Sequence, residues 1–511
     1  MKKQFVLFIT AALSCSATWA QDADAVSKIK EQGLKQSQVM NYAFNLTDVS
    51  GPRLTNSPGY FRAANWAKNE LAKLGLVNAA LEPWGDFGKG WELKKSYIAM
   101  TAPYYRPLIG FPKTWTRGTN GLKNAEVLLV KAADSAALEA YRGKMKGKII
   151  LLYRTDTLKP TYKPDAERYS EEDLAKMANA KIDTSRRNRS GQTRTLIGSM
   201  PMSTRIRRMA EAEGAVAQLS MSTRGFHGTL FVQGGGAYGA KDPENFPDMM
   251  IAFEDYMSLV RLTSAGIPVK LDVDTQTEFF TKDIKGYNVV AEIKGTDPVL
   301  KDEVVMLGGH LDSWQGSTGA TDNAAGCAVM MEAIRIIQQS GLKPRRTIRI
   351  ALWGGEEQGL HGSRNYVKNH FADPATMELK PEHSKISAYY NIDNGTGKIR
   401  GIYLQGNEAL RDIFTEWLKP FNDLGASTVT VSNTGGTDHQ AFDAVGIPGF
   451  QFIQDEIEYD TRTHHTNMDS YDHLQAEDLK QIATIVASFV YNTANKEEKL
   501  QRKPLPAARG N

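Results

Sequence analysis

The second half of the chain alternates between apolar strand patterns and amphipathic helix patterns, from about residue 284 onward. The strand candidates are VVMLGGH, TIRIALWGG, ISAYYNID, IRGIYLQG, VTVS and PGFQFIQ. The helix candidates between and after them are AAGCAVMMEAIRIIQQSG, GSRNYVKNHF, EALRDIFTEWLKPF and AEDLKQIATIVASFVYNTAN. This alternation is typical of a mainly parallel sheet that is covered by helices on both faces. We therefore predict an α/β fold built on a mainly parallel mixed sheet.

The character of the sequence changes between about residues 120 and 270. AEVLLVKA and KGKIILLYR predict strands, and RIRRMAEAEGAVAQLS predicts a helix that runs into a strand. We predict an inserted β-rich domain over 120–270. It would interrupt a catalytic domain formed by 21–119 and 271–495, and 496–511 would be a flexible tail.

Residues 1–20, MKKQFVLFITAALSCSATWA, have the pattern of a secretory signal peptide. Two lysines precede an apolar stretch, and small residues lead to a cleavage point after Ala20. The apolar run is shorter than the about 20 residues that span a bilayer. We expect a secreted or periplasmic protein without stable membrane insertion, and Cys15 leaves lipid attachment open.

Charge and cysteine content narrow the classes of partner. The formal net charge is +4, and Lys2 and Lys3 of the signal peptide account for two of these charges. A nearly neutral mature chain has no electrostatic preference for nucleic acid. Signal removal also leaves Cys327 as the single cysteine, so no internal disulfide is expected. Cys327 lies in an apolar helical pattern, which predicts a packed small side chain.

Metal-ligand side chains follow the predicted parallel strands. His310, the pair Glu356 and Glu357, and Asp393 each come after a strand, and Asp322 lies at a loop-to-helix junction. A further histidine candidate lies in TRTHHTNMD. Each alone has an ordinary explanation as a loop histidine, a helix cap or a turn. Together they favour a metal site, because ligands bind beyond the carboxyl ends of such strands.

The ligand types and their number predict two metal ions. Histidine and carboxylates without cysteine suit zinc, with cobalt or manganese as substitutes. A single catalytic zinc uses about three protein ligands, fewer than are present here. Asp322, Glu357, Asp393 and a hydroxide carry four negative charges, which balance two divalent ions. One carboxylate of the Glu pair is then free to accept the proton of an attacking water. Asp312 is expected to accept a hydrogen bond from the His310 ring nitrogen that faces away from the metal.

Other hydrolytic and phosphate-binding motifs are absent from the sequence. There is no His-Glu-x-x-His zinc motif, no Gly-x-Ser-x-Gly nucleophile elbow and no Gly-Lys-Ser/Thr phosphate loop. Cys327 follows Gly326 near the predicted site, but a thiol nucleophile requires a histidine partner and a lowered pKa.

The motifs together resemble the co-catalytic dizinc exopeptidases, a family that includes secreted bacterial aminopeptidases and carboxypeptidase Q. The stretches that carry the resemblance are GGHLDSW, TGATDNAAG, GLKPRRTIRIALWGGEEQG, NIDNG, GGTDHQAF and HHTNMD. The likeness is strongest toward the carboxypeptidase Q type, in GPRLTNS, GHLDSW, RRTIRIALW followed by EEQG, and the His-His doublet. It covers nearly the whole mature chain and is weakest over 155–240. It implies a zinc exopeptidase fold that is interrupted by a protease-associated-type insert.

The resemblance implies a role for each metal-site candidate. His310 and Asp393 would bind opposite zinc ions, and Asp322 would bridge the two. Glu357 would complete one site, and Glu356 would be the general base.

The resemblance also implies further site residues. The fifth ligand would be a histidine before Thr or Ser, with an aspartate three residues after that. His465 fits this pattern and is chosen over His464, which stays the alternative. Asp312 would be the partner of His310. Asp438 and His439, in GGTDHQAF, match a motif near the substrate.

The site residues and the resemblance together predict a secreted dizinc metallo-exopeptidase of the aminopeptidase or dipeptidase type, similar to carboxypeptidase Q and acting on dipeptides or short peptides. A metal-bridging hydroxide would attack the peptide bond, with Glu356 as the general base. A free α-amine would find acidic partners in FIQDEIEYDTRT, and a free carboxylate would find Arg or Lys of the insert. The open alternatives are a carboxypeptidase acting at the free C-terminus, a non-catalytic receptor-like binding protein, and a hydrolase of non-peptide amides. The sequence also leaves a homodimer open.

Overall fold

The computed structural model describes residues 23–182, 200–508 and 510. The predicted signal peptide, with Cys15, lies outside the described residues. Within the part of the chain that is described, no helix is long and apolar enough to cross a membrane. The strands form two large sheets and one short hairpin.

The strands of the described residues are, in chain order, β1 (Val77–Asp86), β2 (Gly90–Ala102), β3 (Arg106–Pro107), β4 (Gly110–Pro112), β5 (Lys123–Val130), β6 (Ile149–Leu152), β7 (Ala217–Ser220), β8 (Asp248–Ile251), β9 (Lys270–Phe280), β10 (Lys285–Ile293), β11 (Val304–His310), β12 (Thr347–Trp353), β13 (Ala372–Asp373), β14 (Glu378–Leu379), β15 (Ile386–Asn391), β16 (Ile399–Tyr403), β17 (Thr428–Thr430) and β18 (Gly449–Gln454). The α-helices are α1 (23–30), α2 (Val39–Phe44), α3 (Pro58–Lys73), α4 (Ser135–Glu139), α5 (Glu171–Ala178), α6 (Met202–Ala212), α7 (Phe253–Ser264), α8 (Ala325–Gln339), α9 (His361–His370), α10 (Arg411–Leu418), α11 (His439–Asp443) and α12 (Ala476–Asn495).

The first sheet has eight strands in the order β1-β10-β12-β11-β15-β18-β16-β17. Its four central strands β12, β11, β15 and β18 are parallel to one another, and β10 and β16 flank them in antiparallel pairing. Every residue of β11 is buried, as expected for a parallel strand that is covered on both faces. The carboxyl ends of the four central strands therefore meet along one edge of the sheet, which we call the ligand edge.

Helices cover both faces of the first sheet, which confirms the predicted α/β fold. On one face α8 and α12 pack together in the largest apolar core, with Ile334 and Phe489 among its members. On the other face Tyr366 of α9 and Phe442 of α11 pack against Trp353. Cys327 of α8 is buried in the larger core as predicted, and burial raises the pKa of its thiol to about 12.

A second eight-stranded sheet has the order β3-β2-β9-β5-β6-β7-β8-β4. Its own core includes Leu271 from β9 and Tyr256 from α7. The sheet draws strands from Gly90 to Phe280, so it reaches beyond both limits of the predicted 120–270 insert. The predicted division into domains stays a prediction, and we use "insert" for the part of the chain that builds this sheet.

An aromatic cluster joins the two sheets beside the ligand edge. Its buried members are Leu54, Trp84, Phe87, Trp91, Trp115 and Trp314. Trp314 follows β11 by four residues and meets Trp115 of the insert edge-to-face, with ring centroids 6.1 Å apart. The insert is thereby packed directly against the loop that leaves β11.

Candidate metal centre

The structure brings the predicted metal ligands together at the ligand edge. His310 is the last residue of β11, and Asp393 comes two residues after β15. Glu357 lies in the turn that follows β12. Asp322 lies in a short turn directly before α8, and the peptide bond that joins it to Asn323 is cis. His465 comes from the loop after β18.

One group of ligand atoms surrounds the imidazole of His310. Its Nε2 atom lies 3.1 Å from Asp393 Oδ1 and 3.2 Å from Asp322 Oδ1. All three side chains are buried. This trio supplies one nitrogen and two carboxylates, which suits a single divalent cation.

A second group surrounds His465. Its Nε2 atom lies 2.9 Å from Glu357 Oε2 and 3.2 Å from Asp322 Oδ2. Asp322 thus presents one carboxylate oxygen to each group. A carboxylate that faces two ligand groups in this way can contact a cation in each of them.

An unpaired atom of the centre fits a bound cation. Glu357 Oε1 is buried and has no hydrogen-bond partner among the described residues. A buried carboxylate oxygen without a partner is costly unless a cation compensates it. Burial and the charge of Asp322 raise the pKa of Glu357 to about 7, as expected where buried carboxylates lie close together.

Asp312 contacts His310 through its backbone and not, as predicted, through its carboxylate. The carbonyl oxygen of Asp312 lies 2.9 Å from His310 Nδ1, whereas Oδ1 is 3.9 Å away. The carboxylate instead accepts the backbone N–H groups of Glu356 at 3.1 Å and Glu357 at 3.3 Å. It also accepts the hydroxyl of Thr55 at 3.0 Å. Asp312 therefore positions the Glu pair as well as the histidine.

Glu356 lies beside the metal ligands in a buried, electronegative environment. Burial raises the pKa of its carboxyl, His310 opposes that shift, and the charges of Asp393 and Asp438 add to it, so that the pKa lies well above its usual range. A carboxyl with a raised pKa has a higher proton affinity than an exposed glutamate.

These observations accord with sequence comparison. Residues 288–490 match peptidase family M28. This part of the chain is an M28 peptidase domain. The chain is therefore a metallopeptidase hydrolase, as its sequence predicts.

Relatives of the M28 peptidase extend the likeness to almost the whole chain. Carboxypeptidase Q of Mus musculus is 26% identical over 491 residues, which cover 95% of this chain and 92% of the relative. A crystal structure of a peptidase M28 precursor from Shewanella amazonensis SB2B aligns with a TM-score of 0.66 at 24% identity, covering 95% of this chain and 99% of that one. A zinc aminopeptidase from Bacillus subtilis aligns with a TM-score of 0.57 at 19% identity, covering 91% and 96%. The family and its zinc aminopeptidase neighbour support zinc dependence.

Two buried side chains of the M28 peptidase that sequence reasoning gave no role hold the loops around Asp322. Asp469 accepts the backbone N–H of Thr321 at 2.6 Å and of Asp322 at 3.1 Å. The Arg53 guanidinium donates to the backbone carbonyls of Leu311 at 2.7 Å and Gly319 at 2.8 Å. Both residues could have been found from the sequence, because Arg53 lies in GPRLTNS and Asp469 is the last residue of HHTNMD, two stretches that carry the family resemblance.

The His-His doublet divides between two environments. His465 approaches both Asp322 and Glu357, whereas His464 Nε2 lies 3.9 Å from Asp322 Oδ2. His465 also lies 3.0 Å, through Nδ1, from the side-chain amide of Gln233 of the insert. Asp322, His464 and His465 nevertheless form a group whose ligand atoms lie within 4.8 Å of one another. The assignment of His465 therefore stays a prediction with a direct test.

We expect His465→Ala to weaken metal binding by about 10- to 100-fold or more, and His464→Ala to weaken it by only a few fold. The reason is the shorter distance of His465 to two carboxylates, since lost ligands and their supports cost affinity on this scale. Metal content after dialysis against a graded chelator series measures both. A larger loss for His464→Ala would exchange the two assignments.

Asp438 and His439 are both buried, but they differ in their surroundings. Burial raises the pKa of Asp438 to about 7, and the carboxyl also interacts with His310 and Asp393 of the metal centre. Burial lowers the pKa of His439 to about 4, so its ring is neutral at pH 7. That ring lies 2.8 Å from the side-chain amide of Gln405. The predicted contact of both residues with substrate stays a prediction.

Proposed function

We propose that this M28 peptidase is a dizinc exopeptidase that hydrolyses dipeptides and other short peptides. The observation that carries the proposal is the bridging position of Asp322, whose two carboxylate oxygens face two separate ligand groups. One zinc ion would be held by His310, Asp393 and Asp322. The other would be held by Glu357, His465 and Asp322, and cobalt or manganese would be acceptable substitutes.

The bound ions would polarise the scissile carbonyl and lower the pKa of the attacking water. Glu356 takes the proton of that water and then passes it to the leaving amine nitrogen. The side chain of Asp312 fixes the orientation of Glu356 and Glu357, because it holds both of their backbone N–H groups. Neither residue then needs to reorganise during the reaction.

The N-terminal sequence supports action outside the cytoplasm. Residues 1–20 have the charge pattern, apolar run and small residues of a cleaved secretory signal. We propose that the mature enzyme is secreted or periplasmic, where its substrates are peptides.

The function is tested by incubating the metal-loaded mature enzyme with free dipeptides and a pentapeptide, and by reading the product masses over time. We expect removal of terminal residues that stops when a chelator strips the metal. Loss from the N-terminus identifies an aminopeptidase, loss from the C-terminus a carboxypeptidase, and cleavage of dipeptides alone a dipeptidase. If protein shown to hold two metal ions leaves every peptide intact, the proposal fails in favour of a binding protein or a hydrolase of other amides.

A further inference from the structure

Two of the four acidic side chains that FIQDEIEYDTRT offers for a substrate α-amine are already paired within the fold. Asp455 is completely buried and pairs with Arg168 at 2.8 Å and Arg400 at 3.1 Å. Glu458 pairs with Arg462 at 3.0 Å and also contacts His473. Both carboxylates are already paired with cationic side chains of the protein, so they are poor candidates for binding a cationic ligand.

An insert loop, residues 221–233, is fastened to the loop that carries the histidine doublet. Phe231 forms an antiparallel bridge with Thr466. The backbone N–H of Val232 donates to the carbonyl of His465 at 3.0 Å. Backbone pairing of this kind sets the position of the insert loop relative to the metal centre. These backbone hydrogen bonds therefore hold the side chains of the insert loop close to the metal centre.

Arg224 is the cationic side chain that the insert loop places beside the centre. Its guanidinium lies over the ring of Phe231, 4.2 Å from the ring centroid. One terminal nitrogen, Nη2, lies 3.0 Å from His464 Nδ1, and Nε2 of the same ring lies 3.9 Å from Asp322. Among the described residues, no carboxylate lies within 4.0 Å of this guanidinium. Arg224 is exposed, so its remaining N–H donors face solvent next to the metal centre.

We propose that Arg224 binds the free C-terminal carboxylate of the peptide substrate and so determines which substrates are cleaved. A guanidinium offers two parallel N–H donors to a carboxylate, and stacking on Phe231 holds its plane in place. One imidazole ring separates it from the bridging Asp322. The guanidinium lies 3.0 Å from one side of this ring, and Asp322 lies 3.9 Å from the other. An extended residue spans at most about 3.6 Å, so a guanidinium one ring away from Asp322 suits a substrate with about one or two residues beyond the scissile bond. The inference rests on the proposed exopeptidase function.

One carboxylate competes with this assignment. Asp460 is two-thirds exposed and lies 3.9 Å from His464 Nδ1, but it forms no ion pair with Arg224 within 4.0 Å. If Asp460 instead held the α-amine of the substrate, the N-terminus would be the recognised end. Blocking each end of one peptide in turn separates the two arrangements.

The test compares Leu-Leu with its C-terminal amide and its N-acetyl derivative, using the metal-loaded enzyme. We expect amidation to lower kcat/KM by about 10- to 100-fold, mainly through KM, because a charged hydrogen-bond partner is lost. Arg224→Gln is expected to lower kcat/KM for Leu-Leu by a similar factor and to leave the amide within about threefold. Arg224→Lys keeps the charge without the planar pair of donors, and we expect an intermediate loss. The matched control is Arg261→Gln, which removes an exposed charge from the last turn of α7.

Binding supplies a second readout that does not depend on turnover. L-leucine is expected to bind the wild-type enzyme at least about tenfold more tightly than L-leucinamide in calorimetry, and Arg224→Gln is expected to abolish this difference. The Arg224 assignment is wrong if wild type cleaves Leu-Leu and its amide equally well. It is also wrong if N-acetylation alone blocks cleavage and Asp460→Asn, rather than Arg224→Gln, reproduces the loss. In both cases cleavage itself persists, whereas failure of the metal-loaded enzyme on every peptide would overturn the exopeptidase function.

Discussion

Glu356→Gln is expected to lower kcat by about 10²- to 10⁴-fold and to leave two metal ions bound per chain. The amide has nearly the same shape as the carboxyl but cannot take a proton from water. Metal retention is expected because Glu357, and not Glu356, lies 2.9 Å from His465. Steady-state kinetics on Leu-Leu and elemental analysis of the same preparation measure the two quantities together.

The matched control is Glu378→Gln, which changes an exposed glutamate in β14, a strand of the short hairpin outside both large sheets. It should leave both kcat and metal content unchanged. If Glu356→Gln lost metal in parallel with activity, Glu356 would be a ligand and the roles within the pair would be exchanged. If it stayed fully active, the proton would have to be taken by another group.

Asp322→Asn is expected to remove most bound metal and to lower kcat/KM by more than about 10³-fold, since metal-ion catalysis supplies several kcal/mol of transition-state stabilisation. The change removes the one charge that both ligand groups share. Because bound metal stabilises only the folded state, chelation should lower the Tm of the wild-type enzyme. The same chelation should leave the Tm of Asp322→Asn nearly unchanged.

Asp302→Asn is the matched control for this variant. Asp302 is exposed in the turn before β11, and it should retain the full response to chelator. A variant Asp322→Asn that kept one ion at wild-type affinity would show that the second group holds metal without the bridge. That result would contradict a shared carboxylate as the basis of the centre.

Much of the metal centre is predictable from local sequence. His310 ends an apolar run, and Asp393 and the Glu pair follow two other such runs, so their positions at strand ends can be read directly. Parallel strands bring their carboxyl ends to one edge, and this rule alone groups the side chains. Asp322 is predictable for a related reason, because small residues on either side of it allow a tight turn before α8.

Other features depend on contacts between residues that are far apart in the chain. The two residues of the histidine doublet are neighbours in sequence, and only the position of their loop against Asp322 and Glu357 separates their environments. The carboxylate of Asp312 turns toward the backbone of the Glu pair, a contact that spans 44 positions in the sequence.

Arg224 shows the same limit most clearly. Nothing near it in the sequence marks it as part of a site, because it lies in a polar loop of the insert. Arg224 reaches the metal centre because a backbone bridge between Phe231 and Thr466 joins the insert loop to the loop that carries the histidine doublet. Hydrophobic periodicity and turn residues, which are local properties of the chain, were enough to establish the α/β fold and the ligand edge. The different environments of the two histidines, the partners of Asp312 and the approach of Arg224 depend on tertiary packing, because each requires segments that are distant in the chain to lie side by side.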